Sequence, residues 1–393
     1  VFMSVANECK AYYPSRLMDW HYPADRQSPV DAIMDEAAKH DMKVFMSTGW
    51  AKDQDDNLRD PAIKGRQIEM MEELAGLYGD HPAFYGWYLP VEDCFGPVLT
   101  DYAVEAVNAL TARARELTPH AKIMISPYGI FNSNFDDPRY EQQIARLTVD
   151  IIAYQDEIGC VREKYPLPRL RENWKKLRAI HDKTGIQMWA NCESFAWEHG
   201  TNDRQSALIP APFPRFLSQL AAATEGGAEK IISFIICGMF DKPGSQYPLG
   251  QPYWSEKAYE DYMAWLGGDA HWKAAEEYFL SAAGPMEKVT DAAWTKYKAG
   301  KYEVEMEPCE GQLTVAMLNC NKRGIVPPVK VSLYGKAKGK WTLLETVEPQ
   351  KWANTNHDAF VDHAIFSKIP AGLRKMKVVI TVEKESYIYI IEK

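Results

Sequence analysis

From residue 1 to about residue 268, short apolar runs alternate with longer stretches of helical period. That is the pattern of repeated βα units around a parallel sheet. The runs are 1–6, 43–48, 83–89, 121–126, 149–154, 186–190 and 230–236, each rich in Ile, Val, Phe or Tyr. A strand buried on both faces reads this way. Between them the spacing predicts helices over 29–40, 63–78, 101–117, 168–184 and 212–225. The first has Ser28 to cap it, Pro29 for its first turn and Asp31 for a box-like start.

Repeated βα units at this pitch predict an α/β fold, a (β/α)8 TIM barrel over 1–284. A doubly wound sheet would show a Gly-rich phosphate turn, and neither G-x-G-x-x-G nor a P-loop occurs. Closing the barrel takes eight strands, so the missing first strand is expected upstream of residue 1, and the visible runs become the second to the eighth. Val1 already opens an apolar run, which suggests a preceding leader or signal peptide.

Beyond residue 285 the texture changes to alternating apolar and polar positions, as in 301–306, 312–318, 329–333, 340–347, 375–382 and 386–391. Residues 285–393 are therefore expected to form an antiparallel β-sandwich of five to seven strands. A helix over 272–283 is expected to dock it on the barrel.

Composition narrows the partners. Of 393 residues, 25% are charged and 46% hydrophobic, and the net charge is −9 with no long basic cluster, so nucleic acid is excluded as a partner. No window of about 18 apolar residues is present, so no membrane span is predicted. The seven cysteines, an odd number without a C-x-x-C pair, suggest neither a zinc site nor a full disulfide framework. A Cys309–Cys320 bond within the second domain stays open in an oxidising compartment. Twelve Trp and 21 Tyr supply planar, amphipathic faces on which sugar rings stack.

A barrel site is built at the carboxyl ends of its strands, so the residues just after each run matter most. They are Gly49-Trp50, then Tyr88 through Glu92 and Asp93, Ser126-Pro127-Tyr128, Gln155-Asp156-Glu157, the segment from Trp189 through Asn191 to Glu193, and Gly238-Met239-Phe240. Glycosidic cleavage needs two carboxyls, one protonated for the leaving oxygen and one ionised for the anomeric carbon or for water. Glu92 and Glu193, after the fourth and seventh strands, fit as the catalytic pair. At period two, Tyr88, Pro90 and Glu92 share one face, and Trp189, Asn191 and Glu193 share another. Trp87 points the other way. Of the adjacent acids, Asp156 is expected to face the mouth, to bind a hydroxyl or to tune a neighbour's pKa. Substrate contacts are expected from Trp50, Tyr88, Tyr128, Gln155, Asp156, Trp189, Asn191 and Phe240, with 197–214 as a rim wall. A metal is not expected, because no His sits directly at a strand end, and nothing calls for a cofactor. Cys94 and Cys192, beside the two glutamates, have no His to activate them and read as small fillers.

Four of these segments taken together, 86–92, 125–128, 153–156 and 189–195, resemble a bacterial family of glycosidase-like TIM barrels known as a domain of unknown function, of the 4434 type. The tail resembles its C-terminal β-sandwich companion, of the 5109 type. The resemblance implies a secreted or periplasmic role on glycans. The placement on the fourth and seventh strands is also similar to the large clan of retaining glycosidases, which implies Glu92 as acid/base and Glu193 as nucleophile. The clan's Asn-Glu pair is Val91-Glu92 here, so the usual 2-hydroxyl partner is absent. The expected function is a glycoside hydrolase acting on a carbohydrate, with retention favoured; the alternative is a non-catalytic glycan-binding protein on the same scaffold.

Overall fold

The computed structural model describes residues 5–7, 9–51, 58–92, 98–161, 167–197, 208–211, 213–244, 255–268, 295–309, 311–319, 325–349 and 360–392. The chain divides into two compact units, each described here by itself. The first comprises Val1–Glu157, Leu170–Cys192 and Ala223–Ile232; the second comprises Ile158–Arg169, Glu193–Ala222 and Ser233–Lys393.

The chain opens with three two-residue strands, β1 (Ala6–Asn7), β2 (Lys10–Ala11) and β3 (Asp19–Trp20), which form a small sheet of their own. Then follow α1 (Pro29–Lys39), β4 (Val44–Ser47), α2 (Pro61–Tyr78), β5 (Phe84–Tyr88), α3 (Asp101–Leu117), β6 (Lys122–Ile125), α4 (Pro138–Arg146) and β7 (Ile151–Gln155). After these come α5 (Ile158–Val161), α6 (Leu167–His181), β8 (Gln187–Glu193), β9 (Phe195–Trp197), β10 (Leu208–Pro210), α7 (Phe213–Glu225), β11 (Lys230–Phe234) and α8 (Ser255–Leu266).

Six strands make one sheet in the order β11-β8-β7-β6-β5-β4, with parallel pairing from β4 through β8. The order never reverses, so there is no switch point of the doubly wound kind. This is a mixed α/β fold with consecutive βα units. Six of the seven expected strands are in this sheet. The first is not. Ala6 and Asn7 pair antiparallel with Ala11 and Lys10, because the chain turns back at Cys9, whose φ is +59°; residues 1–4 lie outside the described residues. The Ala6 backbone instead lies against Gly49 and accepts the Trp50 N–H at 3.1 Å. Gly49 has φ +70°, and a Cβ there would come within 2.6 Å of the Ala6 nitrogen, so only glycine fits.

Four helices start at a side-chain cap, α2 two residues ahead of the expected position 63 and α4 where no helix was expected. Ser28, Asp60 and Asp137 each cap a helix whose first residue is proline, and Thr100 caps α3. On α1, Val30, Met34 and Ala37 are buried, the spacing of one helical stripe. Asp31 donates its N–H to Ser28 Oγ, while its carboxylate accepts the Tyr78 hydroxyl at 2.7 Å.

The second unit carries β12 (Thr295–Tyr297), β13 (Gly300–Met306), β14 (Leu313–Asn319), β15 (Lys330–Ala337), β16 (Lys340–Val347), β17 (Phe360–Phe366), β18 (Lys375–Val382) and β19 (Ser386–Glu392). They form two antiparallel four-stranded sheets, β12-β19-β14-β17 and β13-β18-β15-β16. Both contribute to one apolar core: Leu313, Val315, Met317, Phe366 and Ile388 from one, Val331, Leu333, Met376, Val378 and Ile380 from the other. Two sheets sharing a core at alternate positions make a sandwich. The expected helix over 272–283, the 284/285 boundary and Cys320 lie outside the described residues.

Candidate active site

On the six-stranded sheet, one face carries an apolar cluster of Phe45, Tyr88, Met124, Ile151, Ala153 and Trp189, with Ile232 packed against it. Moving two residues toward the carboxyl end of each strand keeps the same parity and changes the chemistry. Phe45 is followed by Ser47, Met124 by Ser126, Ala153 by Gln155 and Trp189 by Asn191, while Glu92, past the end of β5, joins them through its bond to Tyr88. An apolar floor is therefore overlaid by a layer of hydroxyl, amide and carboxyl groups. A sugar ring presents the same two aspects, C–H faces and hydroxyl edges.

The layer is knitted together. Asn191 Nδ2 donates to Ser126 Oγ at 2.9 Å, and Gln155 Nε2 donates to the Ser126 carbonyl at 2.9 Å. The Asp156 N–H donates to the Asn191 carbonyl at 3.0 Å. Ser47 Oγ accepts the Gly49 N–H, and Gln67 holds the Thr48 hydroxyl and the Gly49 carbonyl beside it. The Tyr88 hydroxyl donates to Glu92 Oε1 at 3.5 Å. Burial, and then the Glu92 carboxylate, hold the Tyr88 phenol well above its ordinary value, so it stays protonated and serves as the donor.

Several expected contacts take a different place. Tyr88 and Trp189 belong to the buried floor, where Phe45 meets Trp189 edge-on and Lys230 Nζ lies 4.9 Å above the Trp189 ring centre. Neither offers an open stacking face. Of the expected aromatic contacts in the first unit, Tyr128, 39% exposed, and the half-buried Trp50 stay accessible. Asp156 does not face the mouth. Ile151 and Ala153 fix the inward parity of β7, so Gln155 takes the inward position and Asp156, completely buried, follows the outward parity of Tyr154. Trp87 points outward as expected, its Nε1 donating to Thr118 Oγ1 at 2.7 Å.

Glu157 carries a signal that the sequence reading passed over. It has φ +54° and is buried, and its carboxyl accepts main-chain N–H groups of Gly129, Ile130 and Phe131. Asn173 Nδ2 holds the Ile130 carbonyl of the same loop at 3.2 Å. Burial pushes the Glu157 carboxyl up to about 7, against the pull of those N–H groups and helped by Asp156. The sequence signal for it is the neighbouring acid, because a like charge alongside raises a carboxyl.

Glu193 lies in the second unit. Its buried carboxylate accepts the Cys160 N–H at 2.9 Å, and its carbonyl accepts Arg215 Nη2 at 3.2 Å and Gln219 Nε2 at 3.0 Å. Arg215 and Gln219 are themselves buried and bonded to each other. Phe240 packs with Phe216 of α7 and Tyr262 of α8, centroids 5.7 and 5.6 Å away. Asp93, Cys94 and most of the expected rim wall lie outside the described residues. Among the described residues, no group of three His, Cys, Asp or Glu is placed to hold a metal ion, and no helix is long and apolar enough to cross a membrane.

With this geometry in view, comparison with known proteins places the chain. The sequence profile of the family described as "Domain of unknown function (DUF4434)" matches residues 1–247. The chain belongs to this family. No curated protein matches it. Among solved structures it resembles a protein of Bacteroides thetaiotaomicron provisionally assigned as an alpha-L-fucosidase, 22% identical over 68% of this chain and 81% of that one, with a TM-score of 0.54. It also aligns with a glycoside hydrolase of family 5 from Bacteroides vulgatus, 13% identical over 90% and 73% of the two chains, TM-score 0.36. A third is the xylanase TsXylA from Thermoanaerobacterium saccharolyticum, 15% identical over 57% and 76%, TM-score 0.35. The neighbours are glycoside hydrolases, and the likeness to the first is one of fold.

Proposed function

We propose that the chain is a glycoside hydrolase that cleaves a glycan with a pair of carboxyl groups and retention of configuration. The observation that carries this reading is the polar layer of Ser47, Ser126, Gln155, Asn191 and Glu92 laid over the apolar floor at the strand ends. Glu92 is the acid/base. Its carboxyl has a protonated phenol, Tyr88, as a donor, which steadies it whenever it is ionised. Glu193 is the nucleophile, its carboxylate aimed by the Cys160 N–H and its backbone pinned by Arg215 and Gln219. Tyr128 and Trp50 are the stacking faces. No cofactor takes part. The sandwich serves as the 5109-type companion, a structural or sugar-binding appendage, and the protein acts outside the cytoplasm.

A second reading has its own support: Glu193 is buried and already hydrogen-bonded, which also suits a group that only accepts ligand hydroxyls. The test separates the two. Xylan, mannan, pectin and fucosylated oligosaccharides are offered to the protein, and binding and newly formed reducing ends are both measured. Release by the wild type, falling on the order of 10² to 10⁴-fold in Glu92→Gln and in Glu193→Gln, supports hydrolysis. Binding without release selects the glycan-binding protein, and release at near wild-type rates in either variant removes the assignment.

A further inference from the structure

Within the polar layer, one buried atom has nothing to bond to. Asn191 is only 7% exposed. Its Nδ2 is committed to Ser126 Oγ, and its Oδ1 finds no hydrogen-bond partner among the described residues. Buried polar groups are ordinarily satisfied, and an acceptor left alone in a low-dielectric site is costly. The amide cannot easily turn to relieve this. Ser126 holds its nitrogen end, the Asp156 N–H fixes the Asn191 carbonyl, and Gln155 braces the Ser126 backbone from the adjoining strand. Among the described residues, no protein donor is placed within hydrogen-bond distance of Oδ1.

We propose that Asn191 is the specificity-determining residue of the site, its Oδ1 accepting a hydrogen bond from the most deeply seated hydroxyl of the bound sugar. The inference rests on the glycan reading above and adds a chemical selection to it. Asn191 shares its parity on β8 with Trp189, so the atom lies one layer above the apolar floor. A sugar entering over the polar layer brings a hydroxyl edge to the level of the amide. The partner must donate. A hydroxyl or an acetamido N–H satisfies Oδ1, whereas an ether oxygen, a carboxylate or a deoxygenated carbon leaves it unpaired. A site built around such an acceptor rejects the analogue lacking the donor far more strongly than an apolar pocket rejects a missing methylene.

The test has two arms. Crystals of the wild-type protein are soaked in turn with D-xylose, D-galactose and L-fucose, and the partner of Oδ1 is read directly. A sugar hydroxyl within hydrogen-bond distance supports the proposal; a protein group on Oδ1, a sugar bound without touching it, or no sugar bound at all overturns it. In parallel, hydrolysis of the glycan found by the screen is measured for Asn191→Leu and Asn191→Asp alongside thermal unfolding. The expectation is a fall of kcat/KM of about 100-fold or more in Asn191→Leu, with Asn191→Asp, which keeps an acceptor, losing about tenfold or less, and with both melting close to the wild type. Equal losses in the two variants, or a large drop in melting temperature with kcat/KM following it, mean a structural amide and overturn the proposal. Sugar seated on Oδ1 without any turnover defeats the hydrolase reading alone; turnover that is indifferent to Asn191→Leu defeats this inference alone.

Discussion

The orientation of Glu193 depends on a neighbour with no side chain. For the Cys160 N–H to reach its carboxylate, the chain passes so close that a Cβ at Gly159 would lie 2.9 Å from Glu193 Oε2 and 2.8 Å from the Phe195 carbonyl. Gly159→Ala is expected to displace the carboxylate, to cost about 1–3 kcal/mol in urea unfolding and to lower turnover on the order of 10²-fold. Unchanged kinetics would mean that Cys160 does not aim this group. Residue parity was partly legible beforehand. Asn191 and Trp87 follow directly from period two, because 86–88 and 189–193 are unbroken strand; Glu92 lies past the end of β5, beyond a turn closed by the Val91 N–H on the Leu89 carbonyl. Asp156 was misplaced because two adjacent acids carry no parity of their own; that comes from Ile151 and Ala153 in the core. The burial of Tyr88 and Trp189 escaped for a similar reason. An aromatic in a sequence shows its size and not whether Phe45 or Lys230 already covers it.

At the scale of elements, local signals located most boundaries. Ser28 caps α1 and accepts the Asp31 N–H at 3.0 Å, so Ser28→Ala is expected to destabilise the chain by about 1 kcal/mol, read as a shift of the urea midpoint without a change in slope. A variant as stable as the wild type would show that the cap is redundant. The elements that went unseen have weak periodicity. In α4 only Tyr140, Gln143 and Ile144 are buried, and one of the three is polar, so the stripe is too sparse to read. In β17 the alternation toward Ala364 and Phe366 is blurred by Asp362 and His363. The opening run failed for the opposite reason. Apolar residues before Asn7 look like a core strand, yet a short apolar run does not say which partner it pairs with.

At the scale of the whole molecule, two buried groups give opposite pH dependences. Glu157 is pushed up to about 7 from an ordinary value of 4.5, so its contribution is full below about pH 4.5 and is lost as pH rises through 7. His181 is pushed down by burial to about 4 from 6.5; its contribution is full above pH 6.5 and is lost as pH falls through 4. As a neutral ring it donates Nδ1–H to the Ile186 carbonyl and accepts the Tyr154 hydroxyl on Nε2, both at 2.8 Å. Each displacement is worth about 3 kcal/mol. The windows overlap and the slopes oppose, so the two nearly cancel between pH 4.5 and 7. Replacing Glu157 by Gln leaves His181 alone, and the gain in unfolding free energy from pH 4.5 to pH 7 should grow by about 3 kcal/mol relative to the wild type. Identical pH profiles for the two proteins would contradict this. Neither effect was legible in the sequence, because both come from burial by distant segments.

The central claim, a retaining hydrolase with Glu193 as nucleophile, is tested most directly by covalent trapping. Once the screen identifies the sugar, its 2-deoxy-2-fluoro glycoside with a dinitrophenyl leaving group is incubated with the wild-type protein and the digest is weighed by mass spectrometry. The account predicts the mass of one fluorosugar on the peptide that contains Glu193, and none on the Glu193→Gln variant. A label on another carboxylate, or continued hydrolysis of the natural glycan with Glu193 replaced, would contradict it.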